Sequence, residues 1–176
     1  QTPIYLLDNN IHPSFPKYSH AVLTKMKSSK DIINDKPPWG CWFYCGIDWY
    51  LTDDAMGSPC SGYVYTFEID NFRMLVIKNS TQLLKFYQQY HVKDDKHLQG
   101  LRELYINSKH KPRVWKYPYL INWSRVYQDY PGILICPYLE KNRMEYIWYY
   151  TWDHASGCIW TPELISNVHY LTQIKG

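Results

Sequence analysis

The sequence predicts an α+β fold: a single domain spanning residues 1–176, with a mostly antiparallel, split sheet and three or four helices packed against it. Three observations lead there. Strand-like and helix-like stretches come in blocks rather than in strict alternation. No internal repeat or linker divides the 176 residues, a length that suits one core. The chain carries 18 Tyr, 8 Trp and 5 Phe, enough large rings to build a firm core and to line a pocket for a flat ligand.

Residues 4–7 (IYLL) form a short apolar run closed by Asp8-Asn9-Asn10, an expected edge strand. Residues 18–26 (YSHAVLTKM) fit strand or helix, with His20, Val22 and Thr24 alternating. Lys36-Pro37-Pro38 forbids helix, because proline lacks the amide donor and locks φ. Residues 40–46 (GCWFYCG) then read as a buried strand bounded by glycines. Asp48 caps a short helix reaching Met56, followed by a loop with Gly57, Pro59 and Gly62. Residues 63–69 (YVYTFEI) alternate, and Asp70-Asn71 turns the chain into residues 73–78 (RMLVIK). These two strands are expected to pair as a hairpin or meander.

Asn79 followed by Gln82 resembles a capping box, and Leu83, Leu84, Tyr87 and Tyr90 recur at helical spacing. A second helix starts at Asp94 or Asp95, with Leu98, Leu101, Leu104 and Tyr105 on one face. Residues 109–118 are basic and proline-containing, the mark of a surface loop. Asn122 opens a third helix carrying Trp123, Val126, Tyr127 and Tyr130, stopped by Pro131-Gly132. Residues 133–138 (ILICPY) read as another buried strand, and residues 144–150, 158–160 and 168–174 complete the expected strands.

Net charge is only +3, with Lys and Arg scattered, which argues against a dedicated duplex-DNA binder. The five cysteines, Cys41, Cys45, Cys60, Cys136 and Cys158, show neither Cys-x-x-Cys nor zinc spacing. They are expected to be buried free thiols of a protein in a reducing compartment. Cys41 and Cys45, four apart on one strand, would share a face. Asn79-Ser80-Thr81 and Asn122-Trp123-Ser124 match the glycan acceptor pattern but sit better as helix caps. No signal peptide is visible and no apolar run spans a bilayer, so the default is an intracellular soluble protein without a membrane partner. The Tyr-, Ile-, Lys- and Asn-rich composition fits an AT-rich genome such as a virus's, which would place the chain in host cytoplasm. Oligomeric state is not legible here.

No Gly-x-Ser-x-Gly elbow, Gly-x4-Gly-Lys loop or His-Glu-x-x-His motif occurs. What stands out is the sequence YYTWDHASGCIW at 149–160, where an aromatic run breaks at Trp152-Asp153-His154, passes Ala155-Ser156-Gly157 and resumes. The break is either a plain turn or the rim of a pocket.

The order of several short motifs resembles the ADP-ribosyltransferase fold of the His-Tyr-Glu type. Tyr18-Ser19-His20 stands where that family's first strand brings a His. Gly40-Cys41-Trp42-Phe43-Tyr44 is similar to its Gly-led aromatic strand, Tyr130-Pro131-Gly132-Ile133-Leu134-Ile135 to its Tyr-Asp-Gly-Ile turn and strand, and residues 159–165 (IWTPELI) to its closing segment. The resemblance covers most of the chain as an order of elements, and it departs at the acid. A last strand at Cys158-Ile159-Trp160 puts Ser156 where the catalytic Glu is expected, with Asp153 the nearest carboxylate. The other register uses Glu145-Tyr146-Ile147-Trp148-Tyr149, similar to the family's Glu-Tyr-Ile-Val-Tyr, and leaves no closing segment behind it.

The resemblance implies NAD as substrate, no metal, and transfer of ADP-ribose to a protein or nucleic-acid acceptor. Cleaving the nicotinamide bond builds oxocarbenium character that a carboxylate stabilises. Asp153 or Glu145 would supply that charge and Ser156 would orient the ribose. His20 would hold a ribose, and Trp42, Tyr44 and Trp160 would complete the NAD-binding set. Each residue also has an ordinary structural role open to it: a satisfied His, a core ring, a polar hairpin turn. The rival reading is a non-catalytic module, in which Lys111, Arg113 and Trp115 of KHKPRVWKYPY hold single-stranded nucleic acid or a peptide.

Overall fold

The computed structural model describes residues 4–8, 32–38, 40–45, 62–69, 73–93 and 114–174. The strands are β1 (Ile4–Asp8), β2 (Ile33–Asn34), β3 (Cys41–Cys45), β4 (Gly62–Ile69), β5 (Leu75–Ile77), β6 (His91–Val92), β7 (Leu120–Asn122), β8 (Gly132–Ile135), β9 (Ser156–Ile159) and β10 (Ile165–Ile174). The helices are α1 (Ser80–Tyr90), α2 (Trp123–Asp129) and α3 (Glu140–Arg143), and a 3-10 turn (Pro162–Leu164) precedes β10. The class is α+β, with the sheet split in two. Seven strands run in the order β10-β4-β1-β3-β9-β8-β5, and three in the order β2-β7-β6. All these pairings are antiparallel except β5 with β8.

Period-two alternation on the central strands sorts the core into two layers. Leu75 and Ile77, Ile133 and Ile135, and Cys158 and Trp160 face one apolar cluster with α1 and α2, and Trp42 packs against it. Val76, Leu134, Cys136, Ile159, Cys41, Phe43 and Cys45 belong to the other. Both faces of β3, β8 and β9 are therefore covered, which explains why their sequences run apolar without a polar face.

The two capped helices form as their first residues dictate. Asn79 accepts from the Gln82 amide at 3.0 Å, and the Gln82 side chain accepts from the Lys78 amide at 2.6 Å, a capping box that closes one residue early. Asn122 accepts from the Arg125 amide at 3.2 Å. The expected helices at 48–56 and from Asp94 or Asp95, and the segment 18–26, lie outside the described residues.

Four expectations are corrected. β1 is interior, between β4 and β3, with Ile4 opposite both Phe67 and Cys45. A continuous apolar run such as IYLL suits a strand with neighbours on both sides. β5 does not pair with β4 but lies at the far end of the sheet, parallel to β8 with Leu75 opposite Ile133. A polar turn signal between two strands does not choose their partners, and a parallel partner needs a crossover, which begins with α1.

Residues 144–150 form turns rather than a strand. Glu145 N donates to Asn142 O at 2.9 Å and Tyr150 N to Tyr146 O at 3.1 Å, and only Tyr146 bridges to Tyr117. Buried Tyr146 and Tyr149 stand three apart, and Trp148 and Trp152 four apart, the period of a coiled turn.

The fourth correction concerns the cysteines. Cys45 and Cys136 form a disulfide, while Cys41 and Cys158 are buried thiols outside it; Cys60 lies outside the described residues. Cys41 and Cys45 do share a face. The bond closes a chain separation of 91 residues, so loop-closure entropy alone assigns it roughly 4–5 kcal/mol. Replacing both cysteines by Ser is expected to lower the urea midpoint accordingly. An unchanged midpoint, or a thiol titration that finds both free in the native protein, removes the bond from the account.

The aromatic layer makes its own stability prediction. Burial pushes the Tyr87 hydroxyl up to about 12, opposed by the Tyr119 amide donating to it at 3.2 Å. Burial likewise raises Tyr90, helped by its bond to Asp129, and raises Tyr146 and Tyr149. These groups keep their protons in the fold and ionise more readily when unfolded, near pH 10. Their contribution is thus complete below that pH and lost as pH rises through 12 and beyond. Alkaline titration should show part of the tyrosinate absorbance of the 18 tyrosines appearing late, in one cooperative step with unfolding. Early, gradual ionisation of these four rings would contradict it.

Candidate active site

The site grows from the register of two adjacent strands. β3 pairs antiparallel with β9, setting Trp42 opposite Cys158 and Tyr44 opposite Ser156. Residues two apart on a strand share a face, so Trp42, Tyr44 and Ser156 lie on the helix-bearing side of the sheet. Gly40 makes the entry to β3 possible. Its φ of +142° suits glycine, and a Cβ there would run into the Cys158 sulfur and the Ile159 carbonyl.

The turn that precedes β9 is fastened at several points. Tyr138 donates its hydroxyl to Trp152 O at 2.7 Å, and Cys45 N donates to Ala155 O at 2.8 Å. Ser156 Oγ donates to His154 O at 3.1 Å. Trp152, 1% exposed, meets the Trp42 ring edge-on at 5.1 Å, and His154 meets Tyr44 at 5.8 Å.

Between these parts lies a cleft of about 320 Å³, lined by Lys36, Pro37, Trp42, Phe43, Tyr44, Trp152, Asp153, His154 and Ser156. Its volume is at the lower end for small-molecule sites, sufficient for a ring with part of a sugar. The Asp153 carboxylate is half-exposed, and its Oδ1 accepts from Arg143 Nη2 at 2.6 Å. Arg143 also donates Nε to Tyr150 O at 3.0 Å. The Lys36 ammonium stands 5.9 Å from the Trp42 ring centre. Burial pushes the Cys158 thiol well up, so it is no ready nucleophile.

Of the residues singled out in the sequence, four meet here: Trp42, Tyr44, Asp153 and Ser156. The interruption at Trp152-Asp153-His154 forms part of the cleft wall. Glu145 is not among the lining residues. It bonds Lys116 at 3.1 Å and Asn142 at 2.9 Å, and these two partners hold its carboxyl below the usual range. Trp160 is 2% exposed, donates to Tyr130 O at 2.6 Å and packs on Tyr127, within the core. Trp115 sits against Tyr150 at 5.3 Å, and Tyr150 carries the Arg143 guanidinium at 5.1 Å. His20, Lys111 and Arg113 lie outside the described residues.

Sequence reasoning missed Lys36 and Arg143. Lys36 was visible only as the residue before a proline break, and Arg143 has no motif, standing ten residues before Asp153 on a separate short helix. Among the described residues no group of three His, Cys, Asp or Glu is placed to hold a metal ion, and no helix is long and apolar enough to cross a membrane. No protein-family model, curated protein or solved structure matches this chain.

Proposed function

We propose that the cleft takes NAD by its nicotinamide end and transfers ADP-ribose to a macromolecular acceptor, a protein or a nucleic acid. One observation carries this reading: two rings, a hydroxyl and a carboxylate, distant in sequence, meet around one small hollow with a cation at its wall. Trp42 and Tyr44 offer faces or edges for a pyridinium ring. Asp153 supplies negative charge where positive charge develops on the ribose, an interaction stronger in the transition state than in the ground state. The C1′–N1 bond breaks with its electron pair leaving on nicotinamide, and an acceptor oxygen or nitrogen then bonds C1′ and gives up its proton. Ser156 orients the ribose, and the scheme calls for no metal.

Incubation with NAD is the test. Nicotinamide release that tracks protein concentration supports the reading, and no release together with no saturable NAD binding overturns it. An intracellular place of action belongs to the same proposal, since NAD is abundant inside cells. The Cys45–Cys136 bond weighs against it, because the cytosol keeps thiols reduced.

A second reading, a module holding single-stranded nucleic acid, is favoured by the Trp115–Tyr150–Arg143 contact series on a partly exposed surface. It predicts oligonucleotide binding that weakens steeply with salt and on Trp115→Ala, without nicotinamide release.

A further inference from the structure

Lys36 is the cleft's unassigned charge. It is presented by the Lys36-Pro37-Pro38 segment, in which Pro37 is buried and itself lines the cleft. Asp35 Oδ1 accepts from the Lys36 backbone amide at 2.8 Å, and no ion pair joins its carboxylate to the Lys36 ammonium. Neither ion pair among the described residues involves Lys36. Its ammonium instead stands 5.9 Å from the centre of the Trp42 ring, the ring that walls the same hollow. A cation beside an aromatic wall, on a backbone stiffened by two prolines, is placed to meet an anion joined to a flat ring.

The second cation near the cleft, Arg143, is committed to Asp153 and to Tyr150 O. Arg143 is thus tied down while the Lys36 ammonium keeps its donors for a ligand.

We propose that Lys36 binds a phosphate of the ligand and makes the cleft selective for phosphorylated nucleotides over the corresponding nucleosides. This rests on reading the cleft as a nucleotide site, but it does not depend on which base the rings accept. For NAD, the recognised group is the pyrophosphate adjoining the nicotinamide ribose. Lys36 is a specificity-determining residue here and takes no part in bond breaking.

Calorimetric titrations of the whole chain separate the possibilities, using nicotinamide riboside, nicotinamide mononucleotide, NAD and ADP as probes. The expected result is that mononucleotide and NAD bind at least roughly tenfold tighter than the riboside. Lys36→Gln should erase that difference by weakening the mononucleotide and NAD, and Lys36→Arg should restore most of it. Added salt should narrow the gap between the phosphorylated ligands and the riboside in the wild type and have no such effect in Lys36→Gln. Equal affinity of riboside and mononucleotide, or a Lys36→Gln protein that still tells them apart, overturns the assignment even if nicotinamide is released. Binding of ADP but none of the nicotinamide compounds, lost in Lys36→Gln, upholds Lys36 and sinks the NAD reading instead. Failure of every probe to bind overturns both.

Discussion

Gly157→Ala is expected to unfold the protein or cost at least about 3 kcal/mol, the upper range for overpacking a close-packed interior. Gly157 lies mid-strand in β9, opposite Phe43 on β3 and Leu134 on β8. A Cβ built there runs into the Phe43 ring and comes within 2.5 Å of the Ile133 carbonyl oxygen. The ring is 1% exposed and enclosed by Phe67 at 5.6 Å, so it has little room to swing away. The carbonyl belongs to the β8 backbone and moves only if the sheet opens. Against a total stability of about 5–15 kcal/mol for an ordinary domain, such a loss is large. Urea denaturation of purified Gly157→Ala checks it. A wild-type midpoint would mean that β3, β9 and β8 are not packed as closely as described.

The same close packing explains how much of the site the sequence exposed. Residues 40–46 and 158–160 are apolar enough to announce themselves as central strands, whereas Ser156-Gly157, expected to belong to a turn, opens β9 instead. Once both are strands, Trp42 with Tyr44, and Ser156 with Cys158, share faces by alternation alone. The polar break at Trp152-Asp153-His154 had then to lie at the end of β9. Helix starts at Asn79 and Asn122 were equally legible, since the capping side chain is local to the amide it satisfies.

What stayed hidden was non-local. Nothing in RMLVIK states whether its partner is YVYTFEI across a turn or GILI beyond a crossover helix; burial against α1 and α2 decides. Nothing in the cysteine spacing pairs Cys45 with Cys136. That pairing follows from β3 and β8 both flanking β9, with Tyr44 and Ile135 each opposite Ser156. The competing registers for the acid illustrate the limit. Glu145-Tyr146-Ile147-Trp148-Tyr149 looks like a strand when read for β-favouring residues. Turns instead bring Trp148 against Phe86 at 5.1 Å, Tyr146 against Tyr117 and Tyr149 against Tyr138. That leaves Glu145 beside Lys116 and away from the cleft lining.

Asp153→Asn is expected to reduce nicotinamide release by roughly 10²–10³-fold, the range seen when one preorganised electrostatic group is removed from a reacting centre. The substitution keeps the shape and deletes the charge. Folding should barely respond, because the Arg143–Asp153 pair is half-exposed and pairs of this kind contribute about 0–1 kcal/mol. Thus the variant separates chemistry from stability, which a core substitution does not. Arg143 bears on the outcome, since its guanidinium already offsets part of the carboxylate's charge at 2.6 Å. Arg143→Gln should then leave Asp153 more available to a developing cation and preserve release or raise it. Glu145→Gln serves as the control. Its carboxylate is committed to Lys116 and Asn142, and its removal should leave release within about twofold, an effect of under 0.5 kcal/mol on the barrier. If Glu145→Gln abolishes release and Asp153→Asn does not, the chemistry belongs to the surface beside Lys116 rather than to the cleft between β3 and β9.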